Sequence, residues 1–225
     1  MKYPTIPSLQ ALCAYVEEVG LLPLFAGGPA GFSVYEMTAE ADWWSGDPAR
    51  DPWEWRYEIA AEGRIAYGKF FGGKAGLVSK ACFPDFANYR RDGYDFDARW
   101  EDGKADRRDK LIWEQLPGDT ELASYELKKR SGVTKGFDGA LTRLQMRAYL
   151  VVRGATYKQN KLGEYYGWPA SAFSTAEALF GEDYVTSQYK TTPECSRQRL
   201  LHRLRTCCSG LPVAELERFI LPAAC

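Results

Sequence analysis

The 225-residue chain carries a formal net charge of −1 at pH 7, with 26% charged and 45% hydrophobic residues, an ordinary composition for a globular protein. A chain of this length buries enough surface to need no disulfide or metal for its core. Its one histidine, His202, excludes a zinc site built on several histidines and an H-E-x-x-H metalloprotease, and any Ser-His-Asp or Cys-His unit would depend on that residue alone.

In chain order, Ser8 to Val19 reads as an amphipathic helix. Ser8 is placed as N-cap, Leu9, Leu12, Val16 and Val19 recur at helical spacing, and Gly20 stands where a C-cap would. The apolar stretch from Leu9 to Phe25 contains Glu17 and Glu18 and lacks a basic lead-in, so it does not read as a signal peptide. No run of about 18 apolar residues is present to span a membrane. Gly27 to Gly31 reads as a loop, and Phe32 to Met37 is ambiguous. Asp51-Pro52 is an N-cap with proline at the first helical position, which predicts a helix over 52–62 ended by Gly63. Ile65, Tyr67, Lys69 and Phe71 then alternate with other residues up to Gly72-Gly73, and an extended run from Lys74 to Ser79 completes a β-hairpin. Residues 88–109 read as a charged loop, and Asp106 to Leu116 as a helix stopped by Pro117-Gly118.

The second half has the clearer grammar. Leu122 to Arg130 reads as a short helix and Phe137 to Val152 as a longer one. Phe137, Ala140, Leu141, Leu144, Ala148 and Val151 gather on one face of that longer helix, and Thr142, Arg143, Gln145, Met146 and Tyr149 on the other. Thr156 to Gln159 and Tyr165 to Trp168 flank Asn160-Lys161-Leu162-Gly163-Glu164, a second hairpin with glycine in its turn. Short helix, turn, amphipathic helix and basic hairpin is the order of a winged helix-turn-helix. There the second helix enters a nucleic-acid groove and the hairpin wing touches the backbone. The helix-then-hairpin order at 52–79 suggests a second such unit. Further on, Cys195 to Cys208 reads as an arginine-rich helix and Pro212 to Ile220 as another, either adding to a basic surface or capping the fold. The predicted architecture is α+β, with winged helix-turn-helix units in tandem. An acidic, tryptophan-rich unit spans 1–104 and a basic unit 105–225.

Charge is neutral only on average. Residues 1–124 sum to −7 and residues 125–225 to +6, and the stretch from Lys128 to Lys161 holds nine basic residues against one acid, Asp138. A concentration of that kind fits a phosphate-bearing partner, or a basic face that answers the acidic half. The cysteines, Cys13, Cys82, Cys195, Cys207, Cys208 and Cys225, form no C-x-x-C and leave fifteen pairings open, so a reduced cytoplasmic protein is expected. A redox role for the vicinal Cys207-Cys208 is the alternative.

Several long strings carry a family resemblance between about Leu9 and Gly181. They are Gly46-Asp47-Pro48-Ala49-Arg50-Asp51-Pro52-Trp53-Glu54-Trp55-Arg56, Tyr67-Gly68-Lys69-Phe70-Phe71 and Asn88-Tyr89-Arg90-Arg91-Asp92-Gly93-Tyr94-Asp95-Phe96-Asp97. The second half adds Leu144-Gln145-Met146-Arg147, Tyr149-Leu150-Val151-Val152, Lys158-Gln159-Asn160-Lys161 and Gly163-Glu164-Tyr165-Tyr166-Gly167-Trp168. In these the chain resembles bacterial proteins related to the AlkZ/YcaQ-type DNA glycosylases. The resemblance implies tandem winged helices, duplex-DNA binding and a place in DNA repair, where a Gln-x-Gln or Gln-x-Asp motif positions water to release damaged bases. The nearest local match, Gln145-Met146-Arg147, has arginine where Gln or Asp is required, and a guanidinium accepts no proton from water.

The candidate nucleic-acid contacts are Lys128, Lys129, Arg130, Arg143, Gln145, Arg147, Lys158 and Lys161, with Gln145 on the solvent face of the predicted recognition helix. Tyr149 and Tyr157 either stack on a displaced base or pack under the wing. Trp43, Trp44, Trp53 and Trp55 fall within 13 residues and build either a core seam or a base pocket. In the pocket reading Asp42, Asp47, Asp51 or Glu54 would activate water, with Gln145 as a further catalytic candidate, although Asp51 is already explained as an N-cap. His202 is expected at the surface, and no cofactor, metal or membrane is expected. The functions that fit are a DNA-binding protein related to repair glycosylases that hydrolyses an N-glycosidic bond, a non-enzymatic DNA-binding or regulatory protein, or a protein-interaction module.

Overall fold

The computed structural model describes residues 3–160, 162–208 and 212–220. In the first half, helix α1 (Leu9–Val19) leads to strand β1 (Leu21–Pro23) and then to helices α2 (Val34–Met37) and α3 (Pro52–Glu62). Strands β2 (Ile65–Phe71) and β3 (Lys74–Ser79) and helices α4 (Phe83–Arg91) and α5 (Phe96–Glu101) follow. The second half repeats the order. Helix α6 (Arg107–Trp113) precedes strand β4 (Leu122–Ala123), helices α7 (Ser124–Ser131) and α8 (Phe137–Met146), and strands β5 (Leu150–Gln159) and β6 (Tyr165–Thr175). Helices α9 (Ala176–Phe180), α10 (Glu182–Val185), α11 (Pro193–Cys207) and α12 (Val213–Ile220) complete it.

Capping chemistry sets the clearest boundaries. The Ser8 hydroxyl accepts from the Ala11 amide at 3.2 Å, and Gly20 ends α1 at φ 88°, a conformation that costs an L side chain strain. Asp51 caps α3, with Pro52 at its first turn and Gly63 closing it in the left-handed region.

All six strands pair antiparallel in one sheet, ordered β1-β3-β2-β5-β6-β4. Within each half, the first strand lies beside the third. The two three-strand sets meet where β2 and β5, their equivalent second strands, pair at Tyr67 opposite Val152. A continuous apolar core fills both halves, and α11 packs on α4 of the first half. That contact is polar as well as apolar: Asn88 donates to Ser196 Oγ at 2.9 Å, Arg199 pairs with Asp85 at 2.5 Å, and Arg203 donates to the Glu17 and Glu18 carbonyls. Arg199 and Arg203 therefore tie α11 to the first half. Among the described residues, no helix is long and apolar enough to cross a membrane.

Four sequence expectations are corrected. The charged loop over 88–109 is largely helical, because Phe83, Phe86, Ala87, Arg90 and Arg91 form a buried helical stripe on α4 and Asp95 caps α5. The helix predicted to run to Val152 stops at Met146. Ala148 takes φ 58°, and the β-branched Val151 and Val152 continue as strand. Leu122 and Ala123 form a short strand before α7 rather than its first turn. The second hairpin is much longer than Thr156–Trp168, reaching back to Leu150 and on to Thr175.

Candidate nucleic-acid interface

The β5–β6 hairpin is paired to β2 at Val152 and to β4 at Ala172 and Phe173, and beyond these it extends as a two-stranded ribbon. Asn160 organises the tip: its side chain accepts from the Leu162 and Glu164 amides, and Gly163 supplies the positive φ the turn requires. Along the ribbon stand Trp168 at 90% exposure, Leu162 at 83%, and the half-exposed Tyr166 and Tyr157. Lys158 shares their strands, its ammonium 5.3 Å from the Tyr125 ring on α7.

A buried network fixes the base of this ribbon. The Arg91 guanidinium is fully enclosed. It donates to Glu177 at 2.5 Å, to Tyr189 Oη at 3.0 Å and to the carbonyl of Ala148, the left-handed residue just before β5, at 2.6 Å. Tyr149 is buried beneath it, its hydroxyl donating to the Tyr94 carbonyl at 3.0 Å. Of its two sequence readings, packing under the hairpin is the one observed, and burial pushes its phenol well above the ordinary value.

The predicted contacts divide into three groups. Lys128, Lys129 and Arg130 are exposed on the last turn of α7, where cations also complement the helix dipole, and Lys158 is exposed on the hairpin. Arg143 and Arg147 are turned inward toward Asp109 of α6, whose carboxylate is almost wholly buried. Arg143 binds it bidentately at 2.8 and 2.5 Å, and Arg147 approaches to 3.8 Å. Burial pushes the Asp109 carboxyl up while the hydrogen bonds from Arg143 pull it down, and the same bonds hold Arg143 more firmly protonated. Gln145 is a correction. It is 2% exposed rather than on the solvent face, its Oε1 accepting from the Lys69 amide at 3.0 Å and its Nε2 donating to Leu141. It stitches α8 to β2 between the halves. Lys161 lies outside the described residues.

Two of the four clustered tryptophans are core residues. Trp43 and Trp55 are buried, their indole N–H groups donating to Thr38 Oγ1 and the Pro48 carbonyl. Trp43 packs on Phe25, Tyr35 and Trp44, while Trp44 is exposed and left-handed at φ 56°. Three of the four acidic candidates have local partners. Asp42 pairs with Arg50 at 2.5 Å, Asp47 accepts from the Ala49 amide, Asp51 accepts from the amides of Trp44, Gly46 and Trp53, and Glu54 is exposed on α3.

A family model described as AlkZ related matches residues 6–221. The chain belongs to the AlkZ-related family. No curated protein matches it. Among solved structures, Streptomyces sahachiroi DNA glycosylase AlkZ is similar at 15% identity, over 88% of this chain and 51% of that one, with a TM-score of 0.48. The AlkZ-related chain thus spans about half the length of that glycosylase.

The 225 residues of this AlkZ-related protein contain no Gln-x-Gln or Gln-x-Asp. They do enclose a cleft of about 770 Å³ between α5, α6 and α9, lined by Asp95, Asp97, Trp113, Glu114, Asp119 and Glu177 among others, with Trp113 stacked on Phe96 at 4.8 Å. Sequence reasoning missed both this cleft and the exposed Tyr166 and Trp168 of the hairpin, although it named Tyr157 as a stacking candidate. The second had a signal, since aromatic residues flank a polar Asn-Lys-Leu-Gly turn. Cys13, Cys82, Cys195, Cys207 and Cys208 are all free thiols, and Cys225 lies outside the described residues. Burial pushes Cys13 up to about 11 and raises Cys82, Cys207 and Cys208, which disfavours the reactive thiolate a redox pair needs. His202 is exposed.

Proposed function

We propose that this AlkZ-related protein binds duplex DNA, with the β5–β6 hairpin as the wing that enters a groove and the basic end of α7 on the flanking phosphates. The observation that carries this reading is the hairpin. Trp168 and Leu162 stand in water on a ribbon held rigidly at its base, next to Lys158. Isolated exposed apolar residues are common, but a projecting ribbon that carries them beside an exposed lysine matches the side chains that proteins wedge between base steps.

The repeated element order supports the same reading, with each half taken as a winged-helix unit. Each half has the order helix, strand, helix, helix, hairpin, with its first strand beside its third. In this proposal the units spanning 1–104 and 105–225 are joined edge to edge through β2 and β5. The exposed side of α3 in the first is lined by Glu54, Glu58 and Glu62, whereas α7 of the second exposes Lys128, Lys129 and Arg130.

The test is binding of a fluorescent duplex at low salt by the wild type and by Trp168→Ala with Leu162→Ser. The double variant should bind at least about tenfold more weakly. Equal affinity would remove the hairpin from the interface.

A second reading, release of a damaged base by N-glycosidic hydrolysis, draws on the cleft beside Trp113. Its carboxylates could activate water in place of the missing Gln-x-Gln/Asp. Incubation with alkylated duplexes decides it: abasic sites support hydrolysis, and their absence alongside retained binding supports a non-enzymatic DNA-binding protein.

A further inference from the structure

The β5–β6 ribbon is irregular where its most exposed aromatic residue stands. Thr156 pairs with Ala170 and Lys158 with Tyr166, so the single residue Tyr157 faces three, Gly167, Trp168 and Pro169. The sequence accounts for this bulge. Gly167 takes φ 76°, and a Cβ added there would meet nothing within 4 Å, so the backbone angle rather than crowding calls for glycine. Pro169 fixes its own φ and restricts the residue before it to extended backbone. Trp168 is held between these two. At 90% exposure its indole stands in water with both faces open, whereas Tyr157 and Tyr166 are only half-exposed. A β-bulge re-aims a side chain, and here it presents the one described aromatic ring free on both sides.

We propose that Trp168 is a stacking wedge that selects duplexes whose base stack is already weakened at one step by a mismatched pair. The inference rests on the duplex-DNA reading above and names the class of duplex taken. A ring open on both faces stacks on a base at each side, and it does so with any sequence because every base has a π-face. Entering a step costs the stacking and pairing of that step, and the cost is least where the pair is mismatched. Phosphates do not make this distinction. A mismatched duplex carries as many as a matched one, so the exposed cations Lys128, Lys129, Arg130 and Lys158 serve both alike. The preference therefore belongs to the wedge. Insertion also kinks the duplex, and a wedge does this only from a stiff support. The support here is the root of β5, where the enclosed Arg91 guanidinium holds the Ala148 carbonyl at 2.6 Å.

The experiment compares a matched duplex with one carrying a single central pyrimidine–pyrimidine mismatch, each labelled at both ends for anisotropy and end-to-end energy transfer. The wild type should bind the mismatched duplex about tenfold more tightly and bring its ends closer together. Trp168→Ala should lose the preference and the shortening, its affinity falling more for the mismatched duplex than for the matched one. Trp168→Phe should keep most of both, and Leu162→Ser at the hairpin tip should leave the preference unchanged. The ring of Trp168 is solvent-exposed, so these variants fold as the wild type does. Equal affinity of the wild type for the two duplexes, or a preference that survives Trp168→Ala, overturns the proposal and leaves the duplex reading standing. Absence of binding to either duplex at low salt overturns the duplex reading and the proposal with it.

Discussion

Replacing Asp109 with alanine removes the acceptor that Arg143 and Arg147 share. The carboxylate is 1% exposed and takes two short hydrogen bonds from Arg143, while Arg143 keeps a quarter of its side chain in water and Arg147 rather less. Breaking a fully buried pair costs about 3–5 kcal/mol, because the surviving charge stays desolvated. Partial re-solvation of the arginines puts the expected loss near the lower bound, about 3 kcal/mol. In a chain of this size that loss lowers Tm by about 6–12 °C. Urea unfolding of the wild type, Asp109→Ala, Arg143→Met and the double variant measures the coupling directly, and a cycle energy of about 1.5 kcal/mol or more is expected. A loss below about 1 kcal/mol with an additive cycle would refute the structural assignment and return Arg143 to the role of a free phosphate contact.

Asp51→Ala should cost about 2–3 kcal/mol in urea unfolding, since its buried carboxylate caps α3 and holds the amides of Trp44 and Gly46; Asp51→Asn should recover part of that. Trp168→Ala should leave unfolding within about 0.5 kcal/mol of the wild type, because its ring is 90% exposed, so any loss of DNA affinity in that variant is a contact effect. Arg90→Met should stabilise the fold by about 1–4 kcal/mol. Its guanidinium is 3% exposed, sits over Phe86 with none of its nitrogens hydrogen-bonded among the described residues, and is pushed down to about 10 by burial, so a methionine of similar length relieves a desolvated charge. Destabilisation of Arg90→Met would show that the charge has a partner in solution.

Local signals were legible and distant partners were not. Ser8, Asp51-Pro52 and Gly63 announce their helices because capping is decided within a turn of chain, and the alternation over Ile65–Phe71 announces its strand. Arg143 and Gln145 read as solvent-facing because the groups that draw them inward are 34 and 76 residues away. Arg90 and Arg91 hid α4 for a related reason: two adjacent arginines look like surface, yet both are buried. The end of α8 had no marker, since Ala148 adopts a left-handed conformation that its identity does not advertise and Val151 continues the helical spacing of the preceding apolar face. The exposed cations Lys128, Lys129 and Arg130 stand out by charge density, and Lys158 by its place on the predicted wing.

Those four cations make the most direct test of the DNA-binding account. Fluorescence anisotropy of a labelled duplex across a series of salt concentrations should give a plot of log K against log salt with a slope near −3.6, about 0.9 for each phosphate neutralised. Changing Lys128, Lys129, Arg130 and Lys158 singly to Gln should reduce the slope by about 0.9 each. Absence of binding at low salt, or a slope unmoved by all four substitutions, would contradict the account.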